Sequence, residues 1–258
     1  MHYHFAKDRP NYARLASGHV FYSRPGFTAF PIRLASELFQ QCQAVLVANQ
    51  GSMPCVLYDP CCGAAYHLSV LSYLHRPSVR MVIGSDINQE ATQLAERNLG
   101  LLTIAGLDRR IQELNELITE FGKSSHRDAI QSGLALRKNV AEWARSNPLR
   151  QMLFQADATD GAALKSSLES VKVDMVLTDV PYGHHSQWTT SHPITQPTDY
   201  LDSLLDALLE VLAPISVVAI CSDKRQKIRN TNYQRIKQFL VGKRRVTILR
   251  PTHWPPHM

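Results

Sequence analysis

The segment Thr178-Asp179-Val180-Pro181-Tyr182-Gly183 brings an acceptor carboxylate, a main-chain carbonyl and an aromatic ring into one stiff turn. A planar amino group conjugated to a base is a poor nucleophile, because its lone pair is delocalised into the ring. If the Asp179 carboxylate and the Val180 carbonyl accept its two N–H bonds, the nitrogen rehybridises and its lone pair can be aimed at a sulfonium methyl group. Pro181 stiffens the turn and Tyr182 offers a face on which a base can stack. These four residues form the candidate catalytic set. On its own a Pro-Tyr corner with a packed ring has the same sequence, so the reading depends on what surrounds it.

Three further acids stand in corresponding places. Asp59, Asp86 and Asp157 each follow a short apolar run, as Asp179 does. Any one of them could be an ordinary turn or cap residue. Four at successive strand ends would share one rim, and in an open parallel sheet ligands collect at that rim near the point where strand order reverses. The first turn, Asp59-Pro60-Cys61-Cys62-Gly63, is neither a G-x-G-x-x-G fingerprint nor a P-loop. Gly63 nevertheless permits close backbone approach, and the helix that follows offers free N–H groups to a carboxylate. Asp86 closes the second strand, where an acid can accept from both hydroxyls of an adenosine ribose. The candidate set for a nucleoside cofactor is therefore Asp59, Cys61, Gly63, Asp86, Ile87, Asp157, Ala158 and Asp179.

Hydrophobic periodicity supplies the elements that hold these residues. Ala35, Leu38, Phe39, Cys42, Val45 and Leu46 recur at helical spacing after a Pro/Gly-punctuated start. Short apolar runs at 55–58, 81–85, 152–154, 173–177, 216–220 and 246–249 read as strands. Helical patterns follow through Leu68, Leu71 and Leu74, over 89–105, near Leu164 and Leu168, over 200–212 and over 233–240. Successive βα units imply a parallel sheet with right-handed crossovers. Between about 108 and 147 two helical patterns occur with no strand between them. The expected architecture is α/β: a Rossmann-like, mostly parallel sheet with helices on both faces, an N-terminal extension over 1–50 carrying an amphipathic helix, and a main domain over 51–258 with a two-helix insertion.

The 258 residues suffice for one large core. A formal net charge of +6 favours a polyanionic partner without requiring one. Ten of the cations, from Lys224 to Arg250, lie in the last thirty-five residues, where no Asp or Glu occurs. Lys224, Arg225, Lys243, Arg244 and Arg245 are the candidate phosphate contacts, since the strand and helix patterns imply a folded patch rather than a solvated tail. The arginines of the helical pair are offset by acids and read equally well as a solvated face. His184, His185 and His192 lack a neighbouring Cys or acid at ligand spacing, so no metal is expected. Trp188 could stack on a base or simply pack its loop. The five cysteines include no C-x-x-C pair, and Cys61 and Cys62 read as small packing residues. With no apolar signal segment and no run long enough to span a bilayer, a soluble, cytoplasmic protein is expected; a monomer is the expected state.

The turn D-P-C-C-G, the acid of G-S-D, the Q-A-D after the third strand and T-D-V-P-Y-G resemble the Rossmann-like class I methyltransferases, whose amino-methylating members carry a [D/N]-P-P-Y motif in the fourth-strand position. More closely, P-G-F-T-A-F-P-I-R-L-A, Y-D-P-C-C-G, R-N-L-x-L-L-x-x-A-G-L, L-T-D-V-P-Y-G and the basic end resemble the AviRa-type avilamycin-resistance enzymes. That resemblance covers most of the chain. It implies S-adenosylmethionine as cofactor, 23S ribosomal RNA or the large subunit as partner, a guanine amino group (N2) as acceptor, and resistance to orthosomycin antibiotics. Two departures stand out. Ala65 occupies the place of a last glycine, and Val180 that of a first proline. One clear strand after Ile220 is expected where the class has two. The alternatives are an amino-methyltransferase for DNA or protein glutamine, and a catalytically silent RNA-binding module.

Overall fold

In the computed structural model, residues 3–25, 30–181, 189–191 and 199–253 are described. Helix α1 (Ile32–Ala48) leads into strand β1 (Cys55–Asp59), helix α2 (Tyr66–Leu74), strand β2 (Val79–Asp86) and helix α3 (Gln89–Gly100). Helices α4 (Ile104–Phe121) and α5 (Ser124–Ser146) come next, then β3 (Arg150–Gln155), α6 (Gly161–Leu168), β4 (Val173–Asp179) and α7 (Asp199–Leu209). The chain ends in β5 (Leu212–Asp223), β6 (Tyr233–Val241) and β7 (Arg244–Pro251).

The strands form one seven-stranded sheet in the order β3-β2-β1-β4-β5-β7-β6. The pairs β3–β2, β2–β1, β1–β4 and β4–β5 are parallel, and β7 runs antiparallel to both β5 and β6. The order reverses between β1 and β4, so Asp59 and Asp179, the last residues of those strands, flank the switch point. Central strands are buried along their length, as strands covered on both faces must be. One face packs on Leu34, Leu38 and Phe39 of α1, Leu68 of α2 and Leu99 of α3. The other packs on Leu164 of α6 and Leu204, Leu205 and Leu208 of α7. A third cluster joins Val20, Phe21 and Tyr22 to α2, α4 and α5 through Val70, Leu107, Leu136 and Val140.

Two sequence expectations are corrected. The helix over 89–105 is two helices: α3 ends at Gly100, and the Thr103 hydroxyl caps α4 by accepting from the Gly106 N–H at 3.1 Å. A Cβ on Gly106 would stand 2.0 Å from the Gly100 carbonyl oxygen, so the first turn of α4 packs on the end of α3 only because no side chain intervenes. The helix over 233–240 is strand β6. Tyr233, Ile236 and Leu240 mimic a helical stripe, but Gly242 at φ 59° and Lys243 make a two-residue hairpin turn between paired Val241 and Arg244. A glycine with positive φ opening such a turn fits the twist of a β-hairpin. The sheet therefore has both terminal strands, where only one was expected.

Candidate active site

Asp59, Asp86 and Asp157, the candidate cofactor acids, are each held by main-chain donors close in space. Asp59 is fully buried; its Oδ1 accepts from the Cys61 N–H at 3.0 Å, and its Oδ2 lies 3.0 Å from His67 Nε2. Gly63 (φ 53°) and Ala65 (φ 50°) both take left-handed backbone, which costs the glycine little and the alanine more. The Gly63 N–H donates to Asp86 Oδ2 at 2.9 Å, and the Asn88 N–H to Asp86 Oδ1 at 2.9 Å. Burial pushes the Asp86 carboxyl above the usual carboxylate range, with these hydrogen bonds opposing it. Ile87 and Ala158 flank this corner, half-buried and buried respectively.

Asp157 is the most heavily engaged acid. Its Oδ1 accepts from the Thr159 N–H and hydroxyl at 2.9 and 2.7 Å, and its Oδ2 from the Ser191 N–H and hydroxyl at 2.6 and 2.8 Å. Burial works against ionisation, but these donors prevail and hold the carboxyl below its ordinary value. Cys61 and Cys62 have thiols pushed well up by burial, which suits packing residues and not nucleophiles.

The surroundings of Asp179, the candidate catalytic acid, are built differently. Asp179 is half-buried at the end of β4, and its Oδ1 lies 3.7 Å from Arg244 Nε, an ion-pair separation longer than a hydrogen bond. Register explains the meeting: Asp179 pairs with Cys221, Cys221 pairs with Val246, and Arg244 lies two residues from Val246 on the same face. The Arg244 guanidinium also lies 5.5 Å from the Phe30 ring centroid, and Phe30 is 5.6 Å from the His67 ring. Val180 is buried, and its N–H is tied to the Cys221 carbonyl at 3.0 Å. Pro181 follows, half-buried, while Tyr182, His184, His185, Trp188 and His192 lie outside the described residues. Arg244 is thus drawn away from the basic patch toward Asp179. Lys224, Arg225 and Lys243 remain exposed, with Arg225 paired to Asp223 at 3.1 Å, and a terminal nitrogen of Arg245 donates to the Lys224 carbonyl.

Three positions escaped the motif reading. His67 is buried with its pKa raised: burial disfavours the cation, but the charges of Asp59 and Asp179 outweigh it. Asn98, fully buried, donates to the Tyr22 and Ala64 carbonyls at 3.1 and 2.9 Å and accepts from the Tyr22 N–H at 2.8 Å, clasping the N-terminal segment to the turn after β1. Ser191 lies 34 residues from Asp157. Only Asn98 left a signal, as the one polar side chain among the apolar positions of α3's inner face. Among the described residues no cluster of three or more His, Cys, Asp or Glu could hold a metal ion, and no helix is long and apolar enough to cross a membrane.

A parallel sheet with an acid-lined rim at its switch point, closed by an antiparallel hairpin, defines the Rossmann-like class I methyltransferases, which use S-adenosylmethionine. The donor set suits that group. Each Asp86 oxygen keeps a lone pair beyond the one its main-chain partner uses, so the carboxylate can still accept from a pair of hydroxyls. The family model described as rRNA methyltransferase AviRa matches residues 1–244. A relative from Streptomyces viridochromogenes, the 23S rRNA (guanine(2535)-N(1))-methyltransferase, is 38% identical over 248 residues, covering 96% of this chain and 95% of its own. Two solved structures of the rRNA methyltransferase aviRa from the same organism superpose with TM-scores of 0.82; they are 36% and 37% identical and are covered to 95% and 96%, as is this chain. The chain belongs to the AviRa family of rRNA methyltransferases.

Proposed function

We propose that this enzyme methylates a guanine of 23S ribosomal RNA at ring nitrogen N1, on the Watson–Crick edge, with resistance to orthosomycin antibiotics as its consequence. The observation that carries the reading is the pairing of Asp179 with Arg244 at the strand ends beside the cofactor corner. Together they offer an acceptor next to a donor, and the guanine edge offers N1–H next to the O6 acceptor. The sequence reading chose the neighbouring exocyclic N2. The Streptomyces relative is named for N1, and the acid–cation pair suits a ring N–H whose proton must leave before its electron pair can attack better than an amine that sheds its proton only as the methyl group arrives.

In this reading Asp86 receives the ribose hydroxyls, the Gly63 turn and the start of α2 face the methionine end, and Ile87, Asp157 and Ala158 border the adenine. When bound, S-adenosylmethionine supplies an electrophilic methyl group, whose bond to sulfur breaks with its electron pair going to sulfur as the acceptor nitrogen bonds to carbon. Asp179 accepts the N1 proton, which leaves for solvent after the transfer. Val180, fixed by its N–H bond to β5, and Pro181 hold the carboxylate in place. Tyr182 stacks on the base. Lys224, Arg225, Lys243 and Arg245 contact phosphates outside the pocket.

The test is incorporation of labelled methyl by purified protein into 23S rRNA, 16S rRNA, duplex DNA and a glutamine peptide, offered in parallel. Label confined to 23S rRNA supports the reading. Label on DNA or peptide, or RNA binding without transfer, would replace it with one of the alternative activities.

A further inference from the structure

Resting on the guanine-N1 reading, we infer that Arg244 is a catalytic residue that binds guanine O6 and holds the negative charge that develops there as N1 loses its proton. Arg244 opens β7, the inner strand of the terminal hairpin, among basic residues that suggest phosphate contact. Its side chain does something else. Cross-strand register turns it onto the face that carries Asp179 and Cys221, while its strand neighbour Arg245 projects from the opposite face and Lys243 sits in the hairpin turn. Its Nε is 3.7 Å from Asp179 Oδ1, and its guanidinium is backed by the Phe30 ring at 5.5 Å. The residue is only half exposed, so a phosphate backbone would have to enter the rim to reach it.

The chemistry needs a cation at this position. When the N1–H bond breaks, its electron pair stays on the ring and the proton passes to the Asp179 carboxylate. The ring then carries a negative charge shared between N1 and O6 until the methyl bond forms. A fixed guanidinium beside the proton acceptor stabilises that charge in the transition state, and an arginine cannot give up its own proton in the process. The Phe30 face and the β5–β7 register hold the cation in place before the substrate arrives. Guanidinium geometry also matters, because O6 lies in the base plane and an arginine can donate in that plane while its charge still faces Asp179.

Arg244→Ala and Arg244→Lys should be assayed on 23S rRNA under single-turnover conditions across a range of about pH 6.5 to 9.5, with cofactor affinity measured by calorimetry as a control for folding. Arg244→Ala should lose on the order of 10²-fold in rate near neutrality, and the deficit should shrink as rising pH removes the N1 proton without help. Arg244→Lys should recover part of the rate. Cofactor affinity should be unchanged. A loss of equal size at every pH would overturn the inference, since a residue that only positions Asp179 or the sheet edge would act that way. So would an Arg244→Ala enzyme of full activity. Identifying the methylated nucleoside in the same samples separates the two claims: N2 product from the wild-type enzyme means that the N1 reading has failed, whereas N1 product with a pH-independent deficit means that only the role of Arg244 has.

Discussion

The two sides of the rim differ in what holds their acids. On the side proposed for the cofactor, Asp59, Asp86 and Asp157 take hydrogen bonds from the main chain, the first from Cys61, the second from Gly63 and Asn88, the third from Thr159 and Ser191. On the acceptor side, Asp179 meets a side chain, Arg244, delivered across β5 by the closing hairpin. Main-chain donors cannot swing away, so the first arrangement fixes a binding surface. A side-chain cation beside a carboxylate instead supplies matched charge for a reaction. The contrast predicts that damage to the first side shows in affinity and damage to the second in rate.

Asp179→Ala carries the largest expected effect. The methyl-transfer rate should fall on the order of 10²–10⁴-fold, the range for loss of a positioned proton acceptor, while S-adenosylmethionine affinity changes by less than about threefold. Single-turnover kinetics and calorimetry on one preparation read both, and a matching loss of affinity would erase the distinction between the two sides. Asp86→Ala should do the converse. Two charge-assisted hydrogen bonds to the ribose, each worth roughly 1.5–3 kcal/mol, disappear, so affinity should weaken by at least about tenfold. Unchanged calorimetric affinity in a folded Asp86→Ala protein would remove that residue from the cofactor surface. The smallest effect lies outside both sides. Replacing exposed Lys224 and Lys243 with alanine should flatten the slope of log RNA affinity against log salt by about 0.7–0.9 per lost phosphate contact. An unchanged slope would make the hairpin's charge irrelevant to RNA.

The same contrast decides what the sequence could reveal. The parallel core was legible because β1, β2, β3 and β4 are short apolar runs, each closed by an acid or followed by one within two residues. The donors to Asp59, Asp86 and part of Asp157 lie within two residues or at the adjoining turn, so local spacing carried that half of the site. Arg244 is 65 positions from Asp179, and its orientation depends on a β6–β7 pairing that the stripe of Tyr233, Ile236 and Leu240 disguised as a helix. Counting charges in the tail found the residue and assigned it with its neighbours to phosphate; only the two-residue periodicity of a strand separates it from them. His67 was invisible for a related reason, since one histidine in an apolar helix gives no sign that two carboxylates surround it. Gly242-Lys243 before an apolar strand was the hairpin signal, and the helical stripe masked it.

The central claim is that the acceptor side removes a ring proton, which makes the acceptor guanine N1. The most direct measurement is to treat 23S rRNA with purified enzyme and labelled S-adenosylmethionine, digest it to nucleosides and separate N1-methylguanosine from N2-methylguanosine by chromatography and mass spectrometry. The account predicts that label elutes with N1-methylguanosine alone and disappears with Asp179→Ala. Label in N2-methylguanosine would contradict it, restoring the rehybridised amine as the nucleophile and leaving Arg244 without a ring anion to stabilise.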